Sequence, residues 1–366
     1  MSTKTILIDI GHPGHIHLLK NLYFRLCQNN YRVLVTVKNI KIQKELLSKY
    51  HIPFIVLGDK KDSLMGKAFS QIYYSLKILN LVKKHNIELG IGSSITLAHV
   101  SKLSKMKSIL LDDDDDEVED LFVKYAHPFC DTLLSPSSLL GHRKSSKNIF
   151  YESYHELAYL HPKYFKADKE VLKELSIEEN EVFFIMRFNV FKAHHDDGNN
   201  GLSLEQKLKL VKMLEPYGRI FITTERDIEP ELEKYQLVVS PEKIHSLMSF
   251  ATMFLGDSQT MTSEAAVLGV PALKCNSFAG ELSIPNELEE KYGLCYSYKL
   301  NNFDNYLLKV KALLTLHNLK AEWLKKREVL LTDKISLTDF LIWFVENYPQ
   351  SSEIMKNEQS YQSRFK

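Results

Sequence analysis

The stretch Ile6-Leu-Ile-Asp-Ile-Gly-His-Pro-Gly-His15 decides the fold class of this chain. Its apolar run is typical of a buried strand, its glycines allow a sharp turn, and apolar residues then recur at helical spacing over 15–29. The stretch therefore predicts a strand, a turn and a helix, which together open a βαβ unit. Further strands of the same sheet are expected at Arg32–Val37, Ile52–Val56, Glu88–Ile91, Lys107–Leu111 and Thr132–Leu134.

The second half of the chain repeats this alternation. Ser203-Leu-Glu-Gln206 is typical of a capping box that opens a helix. Further helices are expected over 262–268, 303–329 and 336–347. Strands that alternate with helices predict parallel sheets, whose ligands bind at the carboxyl ends of the strands. The strands expected in this half are Glu181–Phe188, Arg219–Thr223, Thr252–Gly256 and Ala272–Cys275.

The length of 366 residues, with 44% hydrophobic residues, fits two globular domains and excludes a disordered chain. The two alternating halves predict an α/β protein with two Rossmann-like domains. We expect an N-terminal domain over 1–150, an inter-domain crossover over 151–180 and a C-terminal domain over 181–335. A C-terminal helix over 336–349 should pack back toward the first domain, and a flexible tail should follow over 350–366.

The charge balance gives no global reason to expect a nucleic acid partner, because 47 basic residues face 46 acidic ones. Four cysteines without metal spacing are typical of reduced thiols, and no apolar run reaches the length of a membrane helix. We therefore expect a cytoplasmic protein. The basic helix expected over 69–85 leaves peripheral contact with the inner face of the membrane open.

The loop Gly11–His15 is the first candidate site. Its glycines, Gly14 among them, let the backbone approach a ligand, and the helix behind it offers N–H groups to an anion. An unperturbed histidine titrates near neutrality, so His15 or His12 could serve as a general base. The alternative is a tight turn with exposed histidines. The spacing matches neither a dinucleotide fingerprint nor a Walker A loop.

The loop before the helix at 262–268 is the most specific segment. Its hydroxyl and amide groups are suited to a diphosphate, and Glu264, expected in the first helical turn, could accept both ribose hydroxyls. The alternative is that Glu264 only caps the helix. The expected diphosphate contacts of this loop are Ser258, Gln259, Thr260 and Met261.

Other strand ends carry weaker candidates. Arg187 and His194 could contact the diphosphate, whereas adjacent His-His and Asp-Asp pairs make a poor metal site. Most of the acidic run 112–116 should be solvated, with Asp112 or Asp113 as a carboxylate for acid–base work. The remaining candidates, for sugar or acceptor contacts, are Ser93, Ser94, His155 and Glu156.

Gly256–Pro271, with the segment Tyr154-His-Glu-Leu-Ala-Tyr-Leu160, resembles a family of predicted glycosyltransferases filed under domain of unknown function 354. The resemblance covers about residues 4 to 345. It implies the GT-B fold, in which two Rossmann-like domains face each other across a cleft. It also implies that 1–150 is the acceptor domain and 181–335 the nucleotide-sugar domain. It leaves the donor sugar and the acceptor open.

Two characterised enzyme families are similar at a greater distance. Similarity to the lipid II-forming N-acetylglucosaminyltransferase implies that His15 works at the acceptor or phosphate. It also implies that Glu264 binds ribose, with Ser258, Gln259 and Thr260 on the diphosphate. UDP-N-acetylglucosamine 2-epimerase is also similar, but this chain lacks the glycine pair after Ser258 and has Ser93 where the epimerase has an aspartate.

Together these features predict a metal-independent glycosyltransferase without a cofactor. It would move a sugar from a nucleotide-sugar donor, a UDP-sugar, to a glycan or lipid-linked acceptor of the cell envelope. Two alternatives stay open. One is a UDP-N-acetylhexosamine 2-epimerase-like enzyme, and the other is a non-catalytic scaffold subunit that binds a sugar nucleotide.

Overall fold

Two parallel sheets organise the chain. The computed structural model describes residues 4–59, 64–118, 120–188, 201–224 and 227–366. The strands in these residues are β1 (Thr5–Ile10), β2 (Arg32–Val37), β3 (Ile55–Val56), β4 (Ile87–Gly92), β5 (Lys107–Leu111), β6 (Thr132–Pro136), β7 (Asn148–Tyr151), β8 (Phe183–Arg187), β9 (Arg219–Thr223), β10 (Met253–Gly256), β11 (Ala272–Cys275) and β12 (Cys295–Tyr298).

Helices connect the strands and follow the last of them. Those in the described residues are α1 (Pro13–Gln28), α2 (Lys41–Lys49), α3 (Leu64–His85), α4 (Ile95–Leu103), α5 (Asp120–Tyr125), α6 (Leu157–Leu160), α7 (Glu170–Glu174), α8 (Leu204–Leu214), α9 (Ile244–Phe250), α10 (Gln259–Leu268), α11 (Ser283–Glu290), α12 (Phe303–Leu314), α13 (Leu319–Asp333), α14 (Leu337–Glu346) and α15 (Gln350–Asn357). Short 3₁₀ turns occur at Ser137–Leu139, Pro230–Tyr235, Pro241–Lys243, Leu300–Asn302 and Gln359–Phe365.

The strand order fixes where ligands can bind in each sheet. The first sheet has the order β3-β2-β1-β4-β5-β6-β7 and the second the order β12-β11-β10-β8-β9, with parallel pairing throughout. Both are doubly wound orders. The direction of winding reverses between β1 and β4 in the first sheet and between β8 and β10 in the second. Ligands of such sheets bind at these switch points, outside the carboxyl ends of the strands.

The chain forms two units. One consists of Met1–Tyr159 with Lys334–Lys366, and the other is Leu160–Asp333. Residues near 151 belong with the first unit because Tyr151 is fully buried and hydrogen bonds tie this segment to the chain beyond 333. Ser153 Oγ donates to the carbonyl of Ile335 at 2.8 Å, and the Ile335 N–H donates to the carbonyl of Glu152 at 2.9 Å.

The sequence located most of the sheet but missed two edge strands. The bounds expected for β2, β5, β9 and β11 are those observed. β7 and β12 were not expected, because both are short and mix polar with aromatic residues. In each case the backbone hydrogen bonds to a buried neighbour strand, β6 or β11, stabilise a strand whose own sequence has weak strand propensity.

The C-terminal residues are ordered as helix, which corrects the expectation of a loose tail over 350–366. α15 and the 3₁₀ turn Gln359–Phe365 cover this range. The ring of Tyr361 stacks on that of Trp343 with 4.7 Å between centroids, and Gln362 Oε1 accepts a hydrogen bond from the Glu152 N–H at 2.7 Å. The polar composition misled the prediction, because a few aromatic residues are enough to anchor a short helix.

α3 presents an apolar stripe to solvent. Phe69, Ile72 and Leu76 are 60–67% exposed and follow helical spacing on one face. None of the helices in the described part of the chain combines the length and apolar character that a membrane crossing needs. Peripheral membrane contact by this helix stays a prediction.

The capping box predicted at the start of α8 is present. Ser203 Oγ accepts from the Gln206 N–H at 3.3 Å, and Gln206 Oε1 accepts from the Ser203 N–H at 3.0 Å. We expect Ser203→Ala to lower the free energy of unfolding by about 1 kcal/mol, because the Gln206 N–H at the helix start loses its side-chain acceptor. Urea denaturation measures this change. Ser203→Asp should restore most of the loss, and a variant as stable as the wild type would contradict the assignment.

Candidate functional site

The carboxyl ends of β1 and β4 form the switch point of the first unit. Gly92 has φ +153°, and a Cβ there would lie 2.3 Å from the Asp9 carbonyl oxygen, so only glycine fits this close approach. Ser93 Oγ donates to the Leu111 carbonyl at 2.5 Å, and Ser94 Oγ caps α4 by accepting from the Thr96 N–H at 3.1 Å. The hydroxyls of both predicted sugar contacts therefore have partners in the fold, Ser93 on strand β5 and Ser94 at the start of α4.

The two histidines of the first loop hold its backbone. His12 is the N-cap residue of α1, and its Nδ1 accepts from the Gly14 N–H at 3.2 Å. His15 Nδ1 accepts from the Gly11 N–H at 3.3 Å. Because Nδ1 accepts, the proton of the neutral His15 ring sits on Nε2. His15 is therefore oriented to donate a hydrogen bond from Nε2.

The surroundings of His15 oppose its protonation. Burial, with the positive charges of His12, His155 and Lys38, lowers its pKa to about 3, although Asp113 acts in the opposite direction. A group with this pKa is neutral at pH 7 and a weak proton acceptor. The structure therefore argues against His15 as the general base and favours a neutral donor to a phosphate or hydroxyl oxygen.

The acidic run after β5 is mostly buried, which corrects the expectation that its charges are solvated. Asp112, Asp115 and Asp116 are each 4–5% exposed. The reason is Arg143, whose side chain is fully buried. Its Nη1 lies 2.8 Å from Asp112 Oδ2 and also donates to Asp116, and its Nη2 donates to the Asp114 carbonyl at 2.8 Å.

Asp112 is fully engaged in this network. Besides Arg143, its Oδ2 contacts His127 Nε2 at 2.8 Å, and its Oδ1 accepts from the Asp114 N–H at 3.2 Å. Both carboxylate oxygens of Asp112 therefore already have partners within the fold. The catalytic role predicted for Asp112 is therefore better suited to its neighbour Asp113.

Asp113 pairs with His155 in the same unit. Asp113 Oδ2 lies 2.9 Å from His155 Nδ1, so the ring donates its Nδ1 proton to the carboxylate. Burial opposes the charge on both groups, but their mutual attraction prevails. The pKa of Asp113 is lowered and the pKa of His155 is raised, the latter also by the charges of Glu156 and Asp112.

Among the residues that the structure describes, two sets of side chains lie close enough to bind one cation. The first is Asp112, Asp113 and Asp114, and the second is Asp115, Glu117 and His142. Asp112 and Asp113 already bind Arg143, His127 and His155. Their negative charge is thus compensated by the protein itself, and we assign no metal to them.

The carboxyl ends of β8 and β10 form the switch point of the second unit. Gly256 has φ +143°, and a Cβ there would lie 2.0 Å from the Arg187 carbonyl oxygen. The Asp257 N–H donates to that same oxygen at 3.1 Å. Arg187 ends β8, and its Nη1 donates to Thr223 Oγ1 at 3.2 Å, so its guanidinium lies at the expected edge of the sheet.

The diphosphate loop predicted before residue 262 is shorter than expected. Ser258 is the N-cap residue, and α10 begins at Gln259. Thr260 and Met261 therefore lie in its first turn, where backbone N–H groups have no helical acceptor and favour an anion. Side chains typical of loops hid a helix start that lies three residues earlier.

Glu264 lies in the second turn of α10, which corrects its predicted place in the first. It is 5% exposed, and its Oε1 lies 2.9 Å from His245 Nε2, a buried side chain on α9. One carboxylate oxygen of Glu264, the residue predicted to bind ribose, thus already has a protein partner. Glu264 is not an N-terminal cap, and its pair with His245 joins α9 to α10.

Lys274 is the functional candidate that sequence reasoning missed. It lies in β11 with no exposed surface, and burial lowers its pKa to about 8. Its Nζ donates to Gln259 Oε1 at the start of α10. The Gln259 Nε2 is buried and has no hydrogen-bond partner among the described residues. The signal in the sequence was a lysine inside the apolar strand Ala-Leu-Lys-Cys.

The remaining predicted residues divide between the two units. Glu156 is buried beside His155 in the first unit. His194 lies outside the described residues. The structure thus brings His12, His15, Asp113 and His155 together in the first unit, and it places Arg187, Ser258, Gln259 and Lys274 at one edge of the second sheet.

Comparisons with known proteins agree with this architecture. The uncharacterized protein MJ0665 of Methanocaldococcus jannaschii is 22% identical over 332 residues, which cover 84% of this chain and 92% of that protein. UDP-GlcNAc 2-epimerase from Neisseria meningitidis, solved bound to UDP-GlcNAc, is similar with a TM-score of 0.63 and 14% identity, covering 94% of this chain and all of that one.

A glycosyltransferase from Rickettsia africae is similar with a TM-score of 0.58 and 13% identity, covering 98% of this chain and all of that one. These likenesses confirm the GT-B fold predicted from the sequence. The model of the family described as a protein of unknown function, DUF354, matches residues 4–334, and the chain belongs to that family.

Proposed function

We propose that this chain is a glycosyltransferase that takes its sugar from a nucleotide-sugar donor, a UDP-sugar, bound by the second unit. The observation that carries the proposal is the start of α10. A helix of ten residues begins three residues after β10 ends, at the switch point of a doubly wound sheet, with the buried amine of Lys274 against its first residue. Diphosphates bind at such helix starts.

The residues at this edge suit a departing diphosphate. Charge grows on its oxygens as the glycosidic bond breaks, and preorganised donors stabilise that charge. The first-turn N–H groups of α10, the Gln259 amide and the Arg187 guanidinium supply such donors. We therefore propose a reaction that uses neither a metal nor a cofactor.

The solved structures of similar fold support a sugar nucleotide as substrate. One holds UDP-GlcNAc and another is named a glycosyltransferase. The acceptor we propose is a glycan or lipid-linked sugar of the cell envelope, processed on the cytoplasmic side. Peripheral membrane contact through the apolar stripe of α3 would fit a lipid-linked acceptor.

Arg187 gives the sharpest binding test. We expect Arg187→Met to weaken UDP binding about tenfold, because one charge-assisted contact to phosphate contributes about 1.5 kcal/mol or more. Arg219 is the matched control. It is the first residue of β9, which is parallel to β8, so it lies at the amino ends of the strands and away from Arg187. Arg219→Met should leave UDP affinity unchanged.

Calorimetry and thermal shift with UDP, GDP, CMP, TDP and UDP-sugars, in the presence of EDTA, provide the readout. We expect UDP compounds to raise the melting temperature most, and Glu264→Ala to reduce the shift. No response to any nucleotide would refute both transfer and epimerisation. Binding without turnover of any donor would favour the scaffold alternative.

Epimerisation is the second candidate, because enzymes named UDP-GlcNAc 2-epimerases share the fold. Inversion at C2 by proton exchange requires the C2–H bond of the donor to break. Incubation of UDP-GlcNAc with the protein in D₂O separates the two reactions. Deuterium at C2 of recovered donor would favour epimerisation, whereas UDP release with C2 unlabelled would favour transfer to water or acceptor.

A further inference from the structure

We propose that His155, held by Asp113, is the residue that takes the proton from the attacking hydroxyl, and that His15 is a hydrogen-bond donor instead. The inference rests on the proposed glycosyl transfer. The general base then lies in the segment after β7. The sequence had predicted it in the glycine-rich loop after β1, at His15 or His12.

The geometry of His155 is that of an oriented base. Its Nδ1 lies 2.9 Å from Asp113 Oδ2, so the proton of the neutral ring sits on Nδ1 and the lone pair on Nε2. The ring of Tyr151 stacks on it with 6.3 Å between centroids and 17° between planes. A carboxylate and an aromatic face thus fix the ring while Nε2 keeps its lone pair.

The Nε2 atom is the reason to expect a ligand. His155 is 9% exposed, and Nε2 is buried without a hydrogen-bond partner among the residues that the structure describes. A buried polar atom without a partner has lost its hydrogen bonds to water and gained none in return. Such an atom in a native fold calls for an explanation, and a substrate hydroxyl supplies the missing partner.

His15 has the opposite arrangement. Its Nδ1 accepts from the Gly11 backbone, which leaves an N–H at Nε2 and no lone pair on that side. The ring of His155 is close enough for its charge to lower the pKa of His15. One ring therefore presents an acceptor and its neighbour a donor, a pair suited to bind one hydroxyl oxygen and remove its proton.

Several charged groups set the proton affinity of His155. Negative groups outweigh positive ones around its ring, so a protonated ring is stabilised after proton transfer. The groups on the elements packed around His155 and its partners are Asp112, Asp113, Glu156, Tyr151, Arg143, His15, His12 and Lys38.

The proposed step transfers one proton and exchanges one C–O bond for another, for any hydroxyl acceptor. The O–H bond breaks and its proton moves to His155 Nε2, while the oxygen lone pair forms the bond to the anomeric carbon. The bond from that carbon to the diphosphate oxygen breaks, and its electron pair leaves with the nucleoside diphosphate. His155 then carries the proton, stabilised by Asp113, and releases it to solvent.

Hydrolysis of UDP-GlcNAc, with water as the acceptor, tests the assignment without the natural acceptor. We expect His155→Ala to release UDP at least 100-fold more slowly while UDP affinity stays within twofold. Added imidazole should raise the rate of UDP release by the His155→Ala variant at least tenfold. In the wild type the rate of hydrolysis should rise with pH as His155 loses its proton, with a pKa above 6.5. Asp113→Asn should shift this rising limb of the pH–rate profile to lower pH.

His127→Gln is the matched control. His127 is another buried histidine with a carboxylate partner at 2.8 Å, Asp112. This variant should lose stability but keep the pH limb of the wild type. An unchanged limb in Asp113→Asn, or full turnover in His155→Ala, would overturn the assignment.

The outcomes separate this assignment from the proposed function. A wild type that binds no nucleotide refutes the function and the assignment together. For a wild type that binds UDP but does not hydrolyse the donor, NMR titration of the histidine ring carbons decides. A His155 resonance whose titration midpoint lies above pH 6.5 in the wild type, and at a lower pH in Asp113→Asn, supports the assignment. Titration below 6.5 overturns it.

Discussion

Arg143→Met is expected to lower the free energy of unfolding by about 3–5 kcal/mol, the cost of leaving buried charges without their partner. The Arg143 side chain is fully buried and faces the carboxylates of Asp112 and Asp116. Methionine has a similar length but no charge. Both carboxylates would then stay buried, and the partners left to them among the described residues are His127 and backbone N–H groups.

The loss should depend on pH in a defined direction. Buried carboxylates without a counter-charge have raised pKa values, so they become neutral at mildly acidic pH. The difference between variant and wild type should therefore be smaller at pH 5 than at pH 7. Adding Asp116→Asn to Arg143→Met should recover part of the stability for the same reason.

Lys144→Met is the control, because Lys144 is the next residue and its side chain is 78% exposed. Its ion pair with Glu117 is long, at 3.8 Å, and an exposed pair contributes about 0–1 kcal/mol. Urea denaturation at both pH values measures all four proteins. A loss below about 1 kcal/mol in Arg143→Met would mean that the acidic run does not depend on this arginine.

The sheets and their glycine turns could be predicted because their signals are local. An uninterrupted run of three apolar residues marks each of β1, β5 and β10. Gly92 and Gly256 occupy positions where the strands approach too closely for a Cβ. Likewise the hydroxyl of Ser203 and the amide of Gln206 lie three residues apart, so the capping box is visible in the sequence.

The candidate sites depended on partners distant in sequence. Five consecutive aspartates suggest solvated charge until Arg143, 27 residues beyond Asp116, is placed among them. Asp113 and His155 lie on separate loops, so their pairing follows from the fold alone. The pKa of His15 could not be predicted either, because its cause is burial beside other positive groups.

Lys274→Met is expected to stabilise the protein at pH 7 by about 2–3 kcal/mol while weakening UDP binding. Burial lowers the pKa of Lys274 from 10.5 to about 8. The unfolded chain therefore binds more protons than the folded one between these values, and stability rises with pH across that window. At pH 7 both states hold the proton, so the full cost of about 3 kcal/mol applies.

Methionine removes that cost but also removes the donor to Gln259, which offsets about 1 kcal/mol. The variant should therefore show a flat stability between pH 8 and 10.5, where the wild type rises. Lys299→Met is the control, because Lys299 follows the neighbouring strand β12, with a side chain that is 52% exposed and paired with Glu281. It should change stability by less than about 0.5 kcal/mol.

A buried amine that costs stability needs a compensating use, and an anion at the start of α10 is the one that fits. A bound diphosphate would raise the pKa of Lys274, so wild-type UDP affinity should fall as pH rises through about 8. Calorimetry of UDP in the variant should show weaker binding without that pH dependence. If the variant is more stable but binds UDP as tightly as the wild type, the diphosphate binds elsewhere. If the variant is less stable, the hydrogen bond from Lys274 to Gln259 itself holds β11 and α10 together.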